Sequence, residues 1–134
     1  SEEQLLLSGL EMIVSERKRQ VETKGYLPDH DDQHTNGEMA LVAALLASPE
    51  LLYRKEDENG ELKFCDPWPE SWDRRWEKRP YKDKSGRPNH DVDIGTQERI
   101  RQLEKAGALI AAEIDRLLRL QANLARHENV PSER

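Results

Sequence analysis

A chain of 134 residues, 36% charged and 35% apolar, holds enough material for one core and too little for two, and the apolar share suits a thin helical bundle. The net charge of −6, with no long Lys/Arg stripe, argues against indiscriminate binding to a nucleic-acid backbone, which needs a basic surface. Cys65 is the single cysteine, so no disulfide closes within the chain; no apolar run approaches a membrane span, and the opening SEEQLLLSGLEMIV lacks the basic start and cleavage pattern of a signal peptide. The expectation is a cytoplasmic protein with no membrane partner.

Leu6, Leu10, Ile13, Val14 and Val21 fall at three-and-four spacing, which predicts a helix over about 3–24, ended by Gly25 as a left-handed cap and Pro28 as a breaker. PDHDDQHTNGE then leads into a second helix, GEMALVAALLA, running to Ser48. Thr35 and Glu38 have capping-box spacing, in which each side chain satisfies the other residue's free N–H. Ser48-Pro49 predicts one or two further turns over SPELLYR. EDENGELKF places an Asn-Gly turn between short segments and reads as a small hairpin, marginal if alone.

DPWPESWDRRWEKRP spaces Trp68, Trp72 and Trp76 four apart, which predicts a short helix over about 69–78 with the indoles on one face. Residues 80–95 carry turn residues without a period and are expected to form an exposed loop. Ile100, Leu103, Gly107, Ile110, Ile114, Leu117 and Leu124 predict a long amphipathic C-terminal helix, with Asp93 or Thr96 as its cap. Its Ala/Gly-rich centre, KAGALIAAEI, allows close approach of a second helix, either the GEMALVAALLA helix or the same helix of another subunit. Residues 128–134 should fray. The fold class is therefore mainly α: a compact single domain, 1–134, with a long C-terminal helix, a Trp-rich short helix, an irregular centre and one candidate hairpin.

Four groups of residues can carry chemistry. His30, Asp31, Asp32 and His34 read either as a helix entry, with the aspartates favouring the positive N-terminal end, or as the polar mouth of a cleft beside the first helix. His30, Asp32, His34 and Glu38 are also nitrogen and oxygen donors suited to a divalent ion, although their spacing matches no specific zinc pattern. Glu16, Arg19, Gln20 and Lys24 share one side of the first helix; this is a solvated ion-pair face unless Glu16 or Arg19 is deeply buried, in which case it walls a cleft. Trp68, Trp72 and Trp76 with Arg74 and Arg75 combine aromatic planes with guanidinium forks, or else cover the core. On the long helix, Lys105 is a further cation for phosphate, and an inward Glu113 needs a partner.

The combination ERKRQVETKGY…HDDQHTNGEMALVAA…DPWPESWDRRW…RIRQLEKAGALIAAEI resembles a group of small proteins encoded by phages and prophages. The resemblance covers nearly the whole chain and implies an accessory protein acting in the cytoplasm of an infected bacterium. The helical layout is also similar to the MazG-like all-α nucleoside triphosphate pyrophosphohydrolases, which implies Mg or Mn held by acidic residues, but their E-x-x-E and E-x-x-D pattern is incomplete here.

Three readings follow. The first is a binding protein that sequesters a nucleotide signal of host antiviral immunity, a cyclic ADP-ribose isomer or cyclic oligonucleotide, without a cofactor or catalysis. Its ligand would meet Glu16, Arg19, Gln20, His30, Asp31, Asp32, His34, Trp68, Trp72, Arg74, Arg75, Trp76 and Lys105. The second is the metal-dependent pyrophosphohydrolase, and the third a protein inhibitor using the Trp face. Self-association through the C-terminal helix fits its small-residue face.

Overall fold

The computed structural model describes residues 2–50, 52–72 and 95–129, with side chains from Leu7 onward. It is mainly helical, with α1 (Glu2–Lys24), α2 (Pro28–Asp31), α3 (Glu38–Ala47), a hairpin of β1 (Arg54–Glu58) and β2 (Glu61–Cys65), and α4 (Gly95–Asn129). Among the described residues, no helix is long and apolar enough to cross a membrane.

The helix α4, 35 residues and so about 52 Å long, is the spine of the fold. Both α1 and α3 pack on it, and α2 touches it too. The core joins Met39, Val42, Ala43, Leu45 and Leu46 of α3 to Ala106, Leu109 and Ala112 of α4, closed by Trp68 and Trp72. Small side chains let the axes come close. At Gly107 an added Cβ would lie 2.6 Å from Ile13 Cδ1, so α1 crosses where α4 has no side chain to hold it off.

This arrangement turns the buried face of α4 by about a quarter-turn from the expected one. Gln102, Ala106, Leu109, Ala112 and Arg116 are buried, whereas Leu103, Ile110, Ile114, Leu117 and Leu124 are exposed. The reason is steric: the alanine stripe permits close helix contact, and the bulkier aliphatic stripe a quarter-turn away does not. Arg99 then ties α4 to the end of α3, donating to the carbonyls of Leu46 at 3.4 Å, Ala47, and Ser48 at 3.2 Å. These are orphan carbonyls of a helix with no basic residue in its last turn, and a guanidinium 51 residues beyond Ser48 satisfies them.

Several local expectations are met and several are corrected. Gly25 has φ 72 and ends α1, with the Tyr26 N–H donating to the Gln20 carbonyl at 3.0 Å. The hairpin forms, and Asn59 (φ 56) and Gly60 (φ 80) make the two-residue turn whose positive φ values match strand twist. The Thr35–Glu38 box does not form. Gly37, at φ 74, is the N-cap of α3, and Glu38 Oε1 instead accepts from the Asn36 N–H at 2.8 Å.

No helix starts at Ser48-Pro49: Ser48 Oγ accepts from the Glu50 N–H at 3.1 Å, and residues 49 and 50 bend. Residues 69–72 are a turn rather than the expected helix, closed by the Trp72 N–H on the Pro69 carbonyl at 3.1 Å. Residues 128–129 are helical rather than frayed, and Thr96 lies inside α4 rather than capping it. Of the loop expected over 80–95 only Gly95 is described, and it begins α4; the expectations for 73–78, for Asp93 as a cap and for the tail 130–134 lie outside the described residues.

Candidate functional site

The second half of α1 turns two polar side chains, Glu16 and Gln20, inward. Ile13, Glu16, Gln20 and Lys24 recur every three or four residues, and Glu16 and Gln20 are only 3% and 4% exposed. A carboxylate so deep needs compensation, and it has two arginines. Arg19 forks onto it with Nε at 2.9 Å from Oε2 and Nη2 at 2.8 Å from Oε1. Arg101, from α4, places Nη1 at 2.6 Å from Oε2 while also meeting Glu104 at 3.0 Å. Burial alone would raise the Glu16 carboxyl, but the hydrogen bonds and charges of Arg19 and Arg101 overcome it and bring the pKa down to about 2.

An ionised Glu16 fixes the orientation of its neighbour. A carboxylate only accepts, so Gln20 must turn its amide NH₂ toward Glu16 Oε1, at 3.3 Å. Gln20 Oε1 is consequently buried with no hydrogen-bond partner among the described residues. Such an acceptor is costly unless a donor reaches it.

Gln20 lines a cavity of about 210 Å³ lying between α1 and α3 against α4. Glu16, Arg19, Gln20 and Lys24 form one wall, Val42, Leu46 and Leu109 the apolar floor, Trp68 and Trp72 a second wall, and Tyr26 and Lys105 complete it. Of the three lining cations, Arg19 holds the one lining carboxylate, Glu16, and Lys24 and Lys105 are in excess of it. Burial, then the neighbouring Arg101, lowers the Lys105 ammonium pKa. The acidic protein has a locally basic pocket.

Of the residues singled out in the sequence, Glu16, Arg19, Gln20, Trp68, Trp72 and Lys105 are brought together around this cavity. The deep burial of Glu16 decides that the α1 strip is a cavity wall rather than a solvated face. Trp68 and Trp72, 3% and 5% exposed, belong to the core and line the cavity as well. Arg74, Arg75 and Trp76 lie outside the described residues.

The His/Asp turn does not form the mouth expected for it. Asp31 is fully buried and pairs with Arg17 at 3.2 Å, and Arg17 also reaches Asp115 at 3.8 Å and the Tyr26 carbonyl at 3.4 Å. The turn is thereby pinned to α1 and α4. Its imidazoles continue an aromatic ladder: Tyr26 stacks on His30 at 4.7 Å, His30 meets His34 edge-on at 4.9 Å, His34 leans on Trp72 at 5.0 Å, and Trp72 meets Trp68 edge-on at 6.2 Å. Tyr26 and Trp72 line the cavity; the histidines back them. Burial and the adjacent His30 lower the His34 pKa, which keeps that ring neutral at pH 7. Asp32 faces the other way, pairing with Arg119 at 2.8 Å beside a shallow groove of about 170 Å³.

As placed, His30, Asp32, His34 and Glu38 are not drawn around one point, and His34 Nε2 and Glu38 Oε2 are buried without a hydrogen-bond partner among the described residues. His30 Nδ1 lies 3.2 Å from Asp31 Oδ1, His34 Nδ1 lies 3.5 Å from Glu38 Oε2, Glu38 Oε1 takes the Asn36 N–H, and Asp32 is drawn off by Arg119. Among the described residues, no group of three or more His, Cys, Asp or Glu side chains is arranged to hold a metal ion. Glu113 finds the partner that its inward position required, Arg116 one turn on, with Nε at 3.2 Å.

Sequence reasoning passed over Tyr26 and Arg101. Tyr26 follows the glycine that ends α1, a position that folds back over the helix and was legible as such. Arg101 reaches Glu16 across 85 residues, and no local spacing announces that contact. Comparison with known proteins returned no match: no family model, no curated protein and no solved structure matches this chain.

Proposed function

We propose that this chain is a binding protein for a phosphorylated, nucleotide-type small molecule, held in the cavity between α1, α3 and α4 and kept rather than converted. The observation that carries the reading is the pairing of three cations, Arg19, Lys24 and Lys105, with a buried unpartnered acceptor, Gln20 Oε1, beside two indoles. Cations attract phosphate, the indole and phenol faces suit a base, and Gln20 selects a ligand that offers an N–H or O–H.

Retention without turnover is supported by the state of Glu16. A general base works best with a pKa near the operating pH, and Glu16 is held at about 2 with both oxygens engaged by arginines. Its role is to position Arg19 and Gln20. A cavity of about 210 Å³ falls below the usual range for a whole drug-sized ligand, so one moiety of the nucleotide enters and the rest extends along the open polar side. Within this reading the protein is a phage accessory, and its ligand is a cyclic ADP-ribose isomer or cyclic oligonucleotide signal of host immunity, sequestered in the bacterial cytoplasm.

The test is mass spectrometry of filtrates after incubation of the protein with cyclic ADP-ribose isomers, cyclic dinucleotides and nucleoside triphosphates, with and without Mg or Mn. A nucleotide depleted from the filtrate and returned intact on heating is the expected result. A product shortened by pyrophosphate, in excess over protein and only with metal, overturns retention in favour of hydrolysis. Depletion of none of the compounds overturns the nucleotide class.

A further inference from the structure

The two helical arms, the start of α1 and the end of α4, are the least buried stretches of the two helices. Every residue from 7 to 12 of α1 and from 120 to 128 of α4 is exposed, yet both stretches remain helical. A free helix of about this length is marginal in water, since each turn must be stabilised by something packed against it. These arms are also not polar. On α1, Leu7 and Leu10 stand three apart and lead to Val14 at the base of the arm; on α4, Leu120 and Leu124 stand four apart, and Leu124 ends a series, Leu103, Ile110, Leu117 and Leu124, that recurs every seventh residue along the body; these eight side chains are between 44% and 59% exposed. A seven-residue recurrence of large aliphatics is the seam of a helix that packs along another helix.

We infer that these arms are the interface of a homodimer in which the α1 arm of each copy lies along the α4 arm of the other. Three features favour a second copy as the occupant. The arms match in length: residues 2–12 span about 16 Å and residues 117–129 about 20 Å. They differ in charge: residues 2–12 contain Glu2, Glu3 and Glu11 with no lysine or arginine, while residues 117–129 contain Arg126, Glu128 and Arg119, the last already paired with Asp32 in the same chain. Both arms belong to one chain but do not cover each other within it, so a two-fold exchange buries both apolar seams twice and brings opposite charges together twice. Among the described residues, those that line the cavity include none from either arm.

The experiment is sedimentation velocity and light scattering on the full chain over a dilution series, at low and high salt. The expected species has twice the 15.6 kDa chain mass and dissociates more readily in high salt. Leu117→Glu with Leu124→Glu, both at exposed sites, should weaken dimerisation at least about tenfold while the helical circular-dichroism signal persists. Glu11→Arg and Arg126→Glu should each weaken self-association, and mixing the two should restore a dimer because both opposite-charge contacts are then re-formed. A species of 15.6 kDa at the highest soluble concentration, or a dimer untouched by the double glutamate variant, overturns the inference.

Discussion

Glu16→Gln removes the charge that organises the cavity wall while preserving its shape. In the folded chain the carboxyl lies at about 2 against an ordinary value of 4.5, a difference worth about 3 kcal/mol of stability at neutral pH. Part of that is recovered in the variant, because Arg19 and Arg101 have side chains 39% and 34% exposed and regain water when Glu16 no longer holds them. The expected loss is about 2 kcal/mol at pH 7.

The pH dependence separates this mechanism from a loss of packing. A lowered folded pKa stabilises fully above 4.5 and its contribution fades as pH falls toward 2, so the gap between wild type and variant should close over that interval. Urea unfolding at fixed protein concentration, from pH 7 down to the lowest pH at which both proteins fold, measures the gap. A gap that stays constant with pH, or a variant as stable as wild type at pH 7, would refute the assignment of Glu16 as an ionised, arginine-held carboxylate.

Three further substitutions probe the frame around the site. Asp31→Asn, at a fully buried position, leaves Arg17 without its closest carboxylate and should cost about 3 kcal/mol in urea unfolding, with the near-ultraviolet signal of the Trp72 environment changing as the aromatic ladder loosens. Arg99→Leu leaves the last carbonyls of α3 without their donor and should cost about 1–2 kcal/mol, with faster amide exchange confined to the end of α3. Gly107→Val drives a side chain into Ile13 and should destabilise by about 1–3 kcal/mol; an unchanged midpoint would mean α1 does not cross there.

Much of the fold is legible in the residues, for reasons that also mark where reading stops. The three-and-four periods of α1 and α4, the Gly25 stop and the Asn59-Gly60 turn are local signals, and the chain obeys them. The buried face of α4 was misjudged because hydropathy favours Leu103, Ile110 and Leu117, whereas helix contact favours Ala106 and Ala112, which let backbones approach. Spacing put Glu16, Arg19, Gln20 and Lys24 on one side of α1. The burial of Glu16 and Gln20 goes with Arg101, far along the chain, which gives so deep a carboxylate a second arginine. The His/Asp turn is ambiguous for the converse reason: its side chains are donors and acceptors of the kind ligands use, and here Asp31 is taken by Arg17 and Asp32 by Arg119, while His34 lies beside Glu38 with its Nε2 unpartnered among the described residues.

The most direct measurement is a proton–nitrogen NMR titration of the full chain with pyrophosphate and then with an adenine nucleotide, following the Gln20 side-chain amide, the Trp68 and Trp72 indoles, and the backbone of Arg19 and Lys105. Occupancy of the cavity shifts this set together, the indoles responding to the nucleotide and not to pyrophosphate alone, and Lys105→Met abolishes the response. Saturating shifts confined to the Arg116–Arg119 groove or to the hairpin, or a response unchanged by Lys105→Met, would contradict a phosphate-binding site between α1, α3 and α4.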